Sequence, residues 1–344
     1  MSIYKMPDRN FISLLDSISS DRELFVPTNT QEDISYKRWD NLGSSAVHFP
    51  KNRLKTPVKT FFFPPKEDVS RFPGDDLNPE RDKRAIFGLK QCDLASLGVL
   101  DQIFLDDEII DPFYATRRQD TLLISSDCYE ILDGCFCNKV GGQPFPKGGF
   151  DINVTKMPAE NDLLVEIAEE STLAKTIYKD NEELFEPATE KLLEKMSSTR
   201  SSVEEELEEK NDFFEIPEDV ENISPKHPVW RDVAEDCVEC GACTMICPTC
   251  HCFQLYERAE ESTVNRGKVW DSCNFKGYSR VAGGANPMKS LESRVRNRFY
   301  DKFGRFYENH DFYGCTGCGR CIESCMGEID MRDVLKEVSV ANQK

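Results

Sequence analysis

The 344-residue chain lacks several features that would assign it to common functional classes. No apolar run approaches the ~18 residues that a membrane-spanning helix needs. The start, MSIYKMPDRN, contains no hydrophobic signal core. Basic residues are in deficit, and the net charge of −19 makes nucleic acid an unfavourable partner. We therefore expect a soluble, cytoplasmic protein that binds neither nucleic acid nor a membrane.

Common catalytic and nucleotide-binding motifs are also missing. No G-x-G-x-x-G follows a strand-like segment, no P-loop is present, and no G-x-S-x-G elbow marks a nucleophilic serine. We therefore predict no nucleotide site and no catalytic residues on this chain.

Cysteine, in contrast, is abundant, with 15 residues. Because the cytosol keeps thiols reduced, we expect them to bind metal clusters rather than form disulfides. Eight fall in two C-x2-C-x2-C-x3-C runs. The first run is Cys237, Cys240, Cys243 and Cys247, followed by Pro248, and the second is Cys315, Cys318, Cys321 and Cys325, followed by Met326.

This spacing is typical of two-cluster ferredoxins, in which the fourth cysteine of each run ligates the other cluster. It predicts two [4Fe–4S] clusters with crossed ligands. Cluster 1 takes Cys237, Cys240, Cys243 and Cys325, and cluster 2 takes Cys315, Cys318, Cys321 and Cys247. Structural zinc is the alternative, but zinc usually binds two close pairs of ligands separated by a spacer. Met326 departs from the proline that usually follows such a run.

The first half of the chain predicts an α/β layer. Ala85–Leu89 and Thr121–Ser125 read as strands, and Asp93 is placed to cap the helix between them. Four cysteines follow the strand ends, where such folds place their sites. They suit a third cubane, or they are scattered thiols that pack as small apolar side chains. These four are Cys92, Cys128, Cys135 and Cys137.

We predict the α+β class and three parts. Residues 1–168 form the α/β domain with the third cluster site, 169–225 an acidic helix and linker, and 226–344 a mostly helical, ferredoxin-like dicluster domain. Within the first part, Phe61–Phe63 predict a short buried strand without a functional polar group.

The segment between the two cysteine runs carries two further features. A basic helix either neutralises cluster charge, receives an acidic partner, or is a solvated helix with its aromatic side chains turned inward. Its basic residues are Arg294, Arg296, Arg298, Lys302 and Arg305. Three cysteines and a histidine pack beside cluster 2 or donate hydrogen bonds to its sulfurs, with a zinc site as the alternative. These are Cys250, His251, Cys252 and Cys273.

The sequence resembles the beta subunits of cytosolic sulfhydrogenases and the A subunits of anaerobic sulfite reductases. The resemblance covers most of residues 55–330. It is carried by CDLASLGVLDQIFL, DPFYATRR, a strand ending in DC, CFC, GGQP, the two cysteine runs, PTCHCF, WDSC and RNRFYDKF.

The resemblance implies an electron-transfer subunit of a hetero-oligomeric oxidoreductase in anaerobic metabolism, without catalysis of its own. Such subunits carry two [4Fe–4S] clusters. The match at Cys92, Cys128, Cys135 and Cys137 implies a third. Electrons then pass one at a time between a flavin-containing NAD(P)H-type subunit and a catalytic subunit, which is a hydrogenase, a sulfite reductase or a heterodisulfide reductase-like assembly. The alternative is a self-contained iron–sulfur reductase that binds its own flavin.

Overall fold

A computed structural model describes residues 2–30, 33–41, 47–74, 77, 79, 81–106, 108–156, 162–217 and 220–341. Its strands are β1 Ser2–Pro7, β2 Glu23–Asn29, β3 Ile34–Arg38, β4 Lys66–Phe72, β5 Arg84–Leu89, β6 Thr121–Ser126, β7 Ile152–Lys156, β8 Asp162–Ile167, β9 Glu186–Pro187, β10 Phe253–Glu260 and β11 Thr263–Trp270. Its helices are α1 Asp8–Ser19, α2 Lys59–Phe62, α3 Gln91–Phe104, α4 Pro112–Asp120, α5 Thr172–Asp180, α6 Glu190–Asn211, α7 Pro228–Asp236, α8 Ala242–Met245, α9 Leu291–Phe299, α10 Phe306–His310, α11 Arg320–Glu323 and α12 Met331–Ala341. The chain therefore has the α+β class that the sequence predicted.

The chain divides into two compact units. Unit 1 comprises residues 1–58, 79–132 and 142–208, and unit 2 comprises residues 59–78, 133–141 and 209–344. The predicted boundary at residue 168 differs from this division, because residues 169–208 pack within unit 1. Ala174 of α5, for example, is fully buried in the core of unit 1.

Unit 1 is built around a mixed sheet with the strand order β3-β2-β5-β6-β7-β8-β1-β9. Its centre, β2-β5-β6-β7, is parallel, and the outer strands run antiparallel. Every residue of β6 is buried, as in a strand covered on both faces. Helix α1 contributes buried Phe11, Leu14 and Leu15 to the core. The carboxyl ends of β5 and β6 carry Lys90 and Asp127.

Unit 2 combines short helices with a small antiparallel sheet of order β10-β11-β4. Its apolar core joins α7, α9 and α12. Trp230 of α7 lies with its ring 5.6 Å from that of Phe299, centroid to centroid. A π-helical segment, Tyr300–Arg305, continues α9. The β10–β11 hairpin within the insert was not predicted.

Two local predictions were wrong. Residues 59–62 form a helical turn rather than a strand, although Phe62 and Phe63 are buried as expected. A hydrogen bond from the Phe63 amide to the Lys59 carbonyl closes this turn before Pro64. Helix α3 begins earlier than predicted, with Lys90 as its N-cap. Asp93 instead accepts a hydrogen bond from the Lys90 amide at 3.2 Å.

Candidate metal centre

The four residues predicted for cluster 1 meet at one cavity of unit 2. Cys237, Cys240, Cys243 and Cys325 all line it, together with apolar groups of α9 and α12. Burial raises the pKa of Cys237, and the nearby Cys243, Cys325 and Cys240 raise it further. The thiols that the crossed assignment groups together are therefore neighbours, although Cys325 comes from the second run.

The residues predicted for cluster 2 also come together from both runs. Burial raises the pKa of Cys315 to about 12, opposed by Lys302, and the nearby Cys321 and Cys247 raise it further. Burial likewise raises the pKa of Cys321 to about 11, with Cys247 and Cys318 adding to the shift. Such buried thiols need a strong compensating charge to ionise, and iron would supply it. Cys321 also lines the cavity at cluster 1, so the two sites adjoin.

Hydrogen-bond donors point at several of the predicted ligand sulfurs. The Asn274 side-chain amide lies 3.3 Å from Cys243 Sγ. The backbone amides of Gly317 and Ile329 lie 3.5 and 3.4 Å from the sulfurs of Cys315 and Cys325. Donors of this kind stabilise negative charge on cluster sulfurs and tune reduction potential.

Glycine allows a close backbone approach at the second run. Gly317 has φ +60, and a Cβ there would lie 2.5 Å from the backbone of Phe136. Gly319 has φ +71, and its Cβ would overlap the backbone of Gly134. The Phe136 amide donates to the Gly317 carbonyl at 2.7 Å. The loop at 133–141 thus packs directly on the second cysteine run.

The basic helix places three of its five cations in the interior. Arg294, Arg298 and Lys302 are 2%, 7% and 4% exposed, and their four-residue spacing puts them on one face. Arg298 lines the cavity at cluster 1. Its Nε is buried without a hydrogen-bond partner in the described part of the chain. An anionic cluster beside Arg298 would give this buried donor a negatively charged partner.

The pKa values of two of these cations reflect the surrounding thiols. Burial lowers the pKa of Arg298, but Cys243, Cys321, Cys250 and Cys247 outweigh it and leave the pKa well above its usual value. The pKa of Lys302 is likewise raised well above its usual value, because Cys247, Cys250 and Cys315 outweigh burial. Lys302 Nζ also donates to Thr249 Oγ1 at 2.7 Å and to the Gly314 carbonyl at 3.0 Å. Of the three roles considered for the basic helix, these contacts favour the neutralisation of cluster charge.

Arg294 acts as a brace for the loop of the first run. Its guanidinium donates to the carbonyls of Asn274 and Lys289, each at 2.8 Å, and pairs with the carboxylate of Glu239. Since Glu239 lies between Cys237 and Cys240, this contact ties the loop to α9.

Sequence reasoning missed Lys59, which was hidden beside an aromatic run. Lys59 is 2% exposed, and its ammonium donates to the carbonyls of Thr244, at 3.2 Å, and Cys250, at 2.9 Å. Burial lowers the pKa of Lys59, while the nearby Cys250 and Cys247 oppose that shift. The sequence signal that could have indicated a buried cation is a lysine that shortly precedes three phenylalanines.

The four residues of the predicted third cluster divide between the two units. Cys92 and Cys128 belong to unit 1, and Cys135 and Cys137 to unit 2. Burial raises the pKa of Cys128, and Lys90 opposes this shift. Lys90 is fully buried and donates to Ser126 Oγ, at 2.9 Å, and to the carbonyls of Pro50 and Asp127, each at 2.7 Å. A shared cluster at these four cysteines stays a prediction.

The remaining cysteines form two contacts. Cys250 donates a hydrogen bond that lowers the pKa of Cys247, as the sequence anticipated for a neighbour of cluster 2. Cys252 and Cys273 instead contact each other. Among the described residues, no three Cys, His, Asp or Glu side chains are grouped closely enough to hold a single metal ion. A cubane spreads its four thiolates around a larger body of iron and sulfide.

The comparison with known proteins identifies the type of domain that contains the two cysteine runs. Residues 236–329 match the model of the 4Fe-4S dicluster domain. The chain is an iron–sulfur protein. Over 98% of its length it is 26% identical to the sulfhydrogenase 2 subunit beta of Pyrococcus furiosus, 98% of which is covered. The resemblance inferred from the sequence is confirmed, and so is the assignment of [4Fe–4S] chemistry and electron transport. In the described residues of this iron–sulfur protein, no helix combines the length and the apolar character needed to cross a bilayer.

Proposed function

We propose that the chain is a non-catalytic electron-transfer subunit of a cytoplasmic oxidoreductase complex. Two [4Fe–4S] clusters bind at Cys237, Cys240, Cys243 and Cys325 and at Cys315, Cys318, Cys321 and Cys247. The observation that carries this proposal is the grouping of thiols across the two runs, because Cys237 neighbours Cys325 and Cys247 neighbours Cys315. Bound clusters supply one-electron chemistry.

The protein's own residues prepare these sites for added negative charge. Arg298 and Lys302 offset the charge of the thiolates from within the interior. Asn274 and the amides of Gly317 and Ile329 stabilise the ligand sulfurs. Val295, Phe299 and other apolar groups restrict water at cluster 1. The cations and the hydrogen-bond donors favour the reduced state, which carries one more negative charge, whereas the apolar groups limit solvent access.

An electron port is proposed beside cluster 1. Cys240 is the one exposed thiol among the eight predicted ligands, all of which lie in the described residues. Exposed Val238 and Met326, at 61% and 76%, flank the same loops. Such an apolar rim allows a redox partner to approach closely.

We further propose partners of two kinds. The similar Pyrococcus protein is named as a subunit of a sulfhydrogenase. By analogy, a flavin-containing NAD(P)H-type subunit delivers or receives electrons on one side. A catalytic redox subunit does so on the other, and it is a hydrogenase, a sulfite reductase or a heterodisulfide reductase-like assembly. The flavin belongs to that partner rather than to this chain.

A third cluster at Cys92, Cys128, Cys135 and Cys137 completes the proposal. Four thiols and the adjacent buried Lys90 are the features that support it. It would extend the relay beyond the ferredoxin-like pair.

The test is an iron and acid-labile sulfide count on the chain purified without oxygen, with spectra before and after dithionite. At four irons per cubane, about twelve of each are expected for three clusters and about eight for two. A count near zero in a correctly folded chain would contradict the whole proposal. Flavin released from the isolated chain would instead favour a self-contained reductase.

Cysteine substitutions distinguish the proposed cluster sites from one another. Cys318→Ser should lose a ferredoxin-like cluster and stop electron relay between partners, whereas Cys135→Ser should lose about four irons and leave the ferredoxin-like pair. Unchanged iron content in Cys135→Ser would contradict the proposal of a third cluster. Full relay in Cys318→Ser would contradict the role of cluster 2.

A further inference from the structure

Cys252 and Cys273 lie at the base of the β10–β11 hairpin. Phe253 of β10 pairs with Trp270 of β11, and beyond this pair the Asp271 amide donates to the Cys252 carbonyl at 2.9 Å. The two strands thus hold the segments that flank them in register. The side chains of Cys252 and Cys273 meet there in a sulfur–sulfur hydrogen bond.

Donors around Cys252 favour its thiolate. The Cys273 thiol, the Tyr278 hydroxyl and the Cys273 amide all donate to its sulfur, and they lower the pKa of Cys252 to about 6. The hydrogen bond to Cys252 raises the pKa of Cys273. One thiolate beside one thiol is the arrangement from which a disulfide forms most readily.

This pair neighbours both predicted cluster sites through short chain segments. Asn274, which directly follows Cys273, donates to the sulfur of Cys243 at 3.3 Å. Cys250, two residues before Cys252, donates to the sulfur of Cys247. Cys243 is a predicted ligand of cluster 1, and Cys247 is a predicted ligand of cluster 2.

We propose that Cys252 and Cys273 form a redox-active dithiol that exchanges two electrons with the two iron–sulfur clusters. On oxidation of the Cys252 thiolate and the Cys273 thiol, the S–H bond of Cys273 breaks and one S–S bond forms. One proton and two electrons are released. Each of two one-electron acceptors takes one electron, and the reverse process restores the thiolate and the thiol. The chain then connects two-electron chemistry to one-electron relay.

Tyr278 connects the pair to the molecular surface. Its hydroxyl contacts Cys252, and the residue is 38% exposed. The proposal depends on the cluster sites described above, but it concerns two residues that are not assigned to them.

The first test is differential alkylation of the anaerobic holoprotein at controlled potentials, followed by peptide mass spectrometry. Ferricyanide oxidation should give a Cys252–Cys273 disulfide, and dithionite should return both residues to an alkylatable form. Cys252 and Cys273 that are both alkylated at every potential would overturn the proposal.

The second test is reductive titration of the wild type and of Cys273→Ser. The wild type should take up two more electron equivalents per chain, at equal iron and sulfide content. Equal uptake would overturn the proposal. Loss of about four irons in Cys273→Ser would also overturn it, because the residue would then be a cluster ligand. A wild type without iron would instead contradict the proposed function.

Tyr278→Phe, with Tyr256→Phe as its matched control, tests the environment of Cys252. Tyr256 lies on β10, and its buried hydroxyl has no hydrogen-bond partner in the described residues. Tyr278→Phe should raise the pKa of Cys252 and slow its alkylation near pH 6 by about threefold, since less thiolate is present. Tyr256→Phe should leave that rate unchanged. Equal rates in both variants would contradict the role of Tyr278 in stabilising the Cys252 thiolate.

Discussion

At the scale of single residues, the buried cations of the basic helix decide how easily the centre accepts an electron. Arg298 has predicted ligands of both clusters among its neighbours, and Lys302 has predicted ligands of cluster 2. A charge about 6 Å away at an effective dielectric constant near 20 is worth ~3 kcal/mol, which corresponds to on the order of 100 mV for one electron.

Arg298→Met should therefore lower the midpoint potential of at least one cluster by on the order of 100 mV. The reduced cluster carries one more negative charge than the oxidised cluster. It therefore loses more electrostatic stabilisation when the cation is removed. Potentiometric titration followed by EPR measures the shift.

Arg296→Met is the matched control, because Arg296 lies on the same helix but stacks on Tyr300 at 5.2 Å. Its potentials should stay within error of the wild type. Equal shifts in both variants would show that overall charge, rather than the position of Arg298, sets the potential.

The crossed assignment gives a second prediction at this scale. Cys325→Ser should disturb cluster 1, although Cys325 belongs to the second run, and should leave cluster 2 intact. Mössbauer and EPR spectra of this variant, compared with those of Cys247→Ser, distinguish the two sites. Loss of the same cluster in both variants would contradict the crossing.

The cysteine spacing predicted which thiols come together at one cavity, because the ligands of a cubane must lie on tight loops of fixed length. It could not reveal Lys59 or Lys90, since a buried lysine depends on carbonyls that are distant in the sequence. Nor could it show which cations of the basic helix turn inward. The pairing of Cys252 with Cys273 depends on the hairpin register, and no local sequence motif predicts it.

At the scale of elements, α6 contributes more than its acidic composition suggested. Its Arg200 pairs with Asp127 at 2.7 Å and with Glu166 at 2.6 Å, and Glu166 is fully buried. Asn153 also donates to both carboxylates. The helix is thereby joined to β6, β7 and β8 of unit 1.

Arg200→Met should destabilise unit 1 by ~3–5 kcal/mol, because two buried carboxylates would lose their cation. Lys191→Met on the exposed face of the same helix should change stability by less than ~0.5 kcal/mol. Chemical denaturation of the anaerobic protein measures both. A similar loss in the two variants would mean that helix propensity, rather than the ion pairs, is responsible.

The second cysteine run makes a separate prediction about backbone packing. Gly319→Ala should cost at least ~1–3 kcal/mol, since its positive φ is strained for alanine and its Cβ would overlap Gly134. Gly98→Ala in α3, with nothing within 4 Å of the added methyl, should be neutral or stabilising by ~0.5–1 kcal/mol. Thermal unfolding compares them, and a stable Gly319→Ala would contradict the close approach.

The apolar runs Ala85–Leu89 and Thr121–Ser125 located β5 and β6, because each run is compact and long enough to identify. The helical turn at Lys59–Phe62 was missed because three aromatic residues in sequence suit either a buried strand or a buried turn. The β10–β11 hairpin was missed because its strands alternate weakly, with exposed residues over most of β10.

At the scale of the whole molecule, the two units have separate sources of stability. Unit 1 has an apolar core of its own. Unit 2 surrounds buried thiols and cations, and bound clusters compensate their charges. Chelation of iron under oxidising conditions should therefore increase hydrogen exchange at 237–250 and 315–325 while β5 and β6 stay protected. Uniform loss of protection in both units would contradict this prediction.

The contact between the loop at 133–141 and the second cysteine run has a consequence for biosynthesis. Cys135 contacts the carbonyl of Cys318 across 183 positions of sequence. The ribosome therefore releases one side of this contact long before the other exists. While α6 and α7 are being translated, Phe136 has no Gly317 to receive its amide. Unit 2 can close only after the second run has been translated, so iron delivery to a complete centre must follow synthesis of that run.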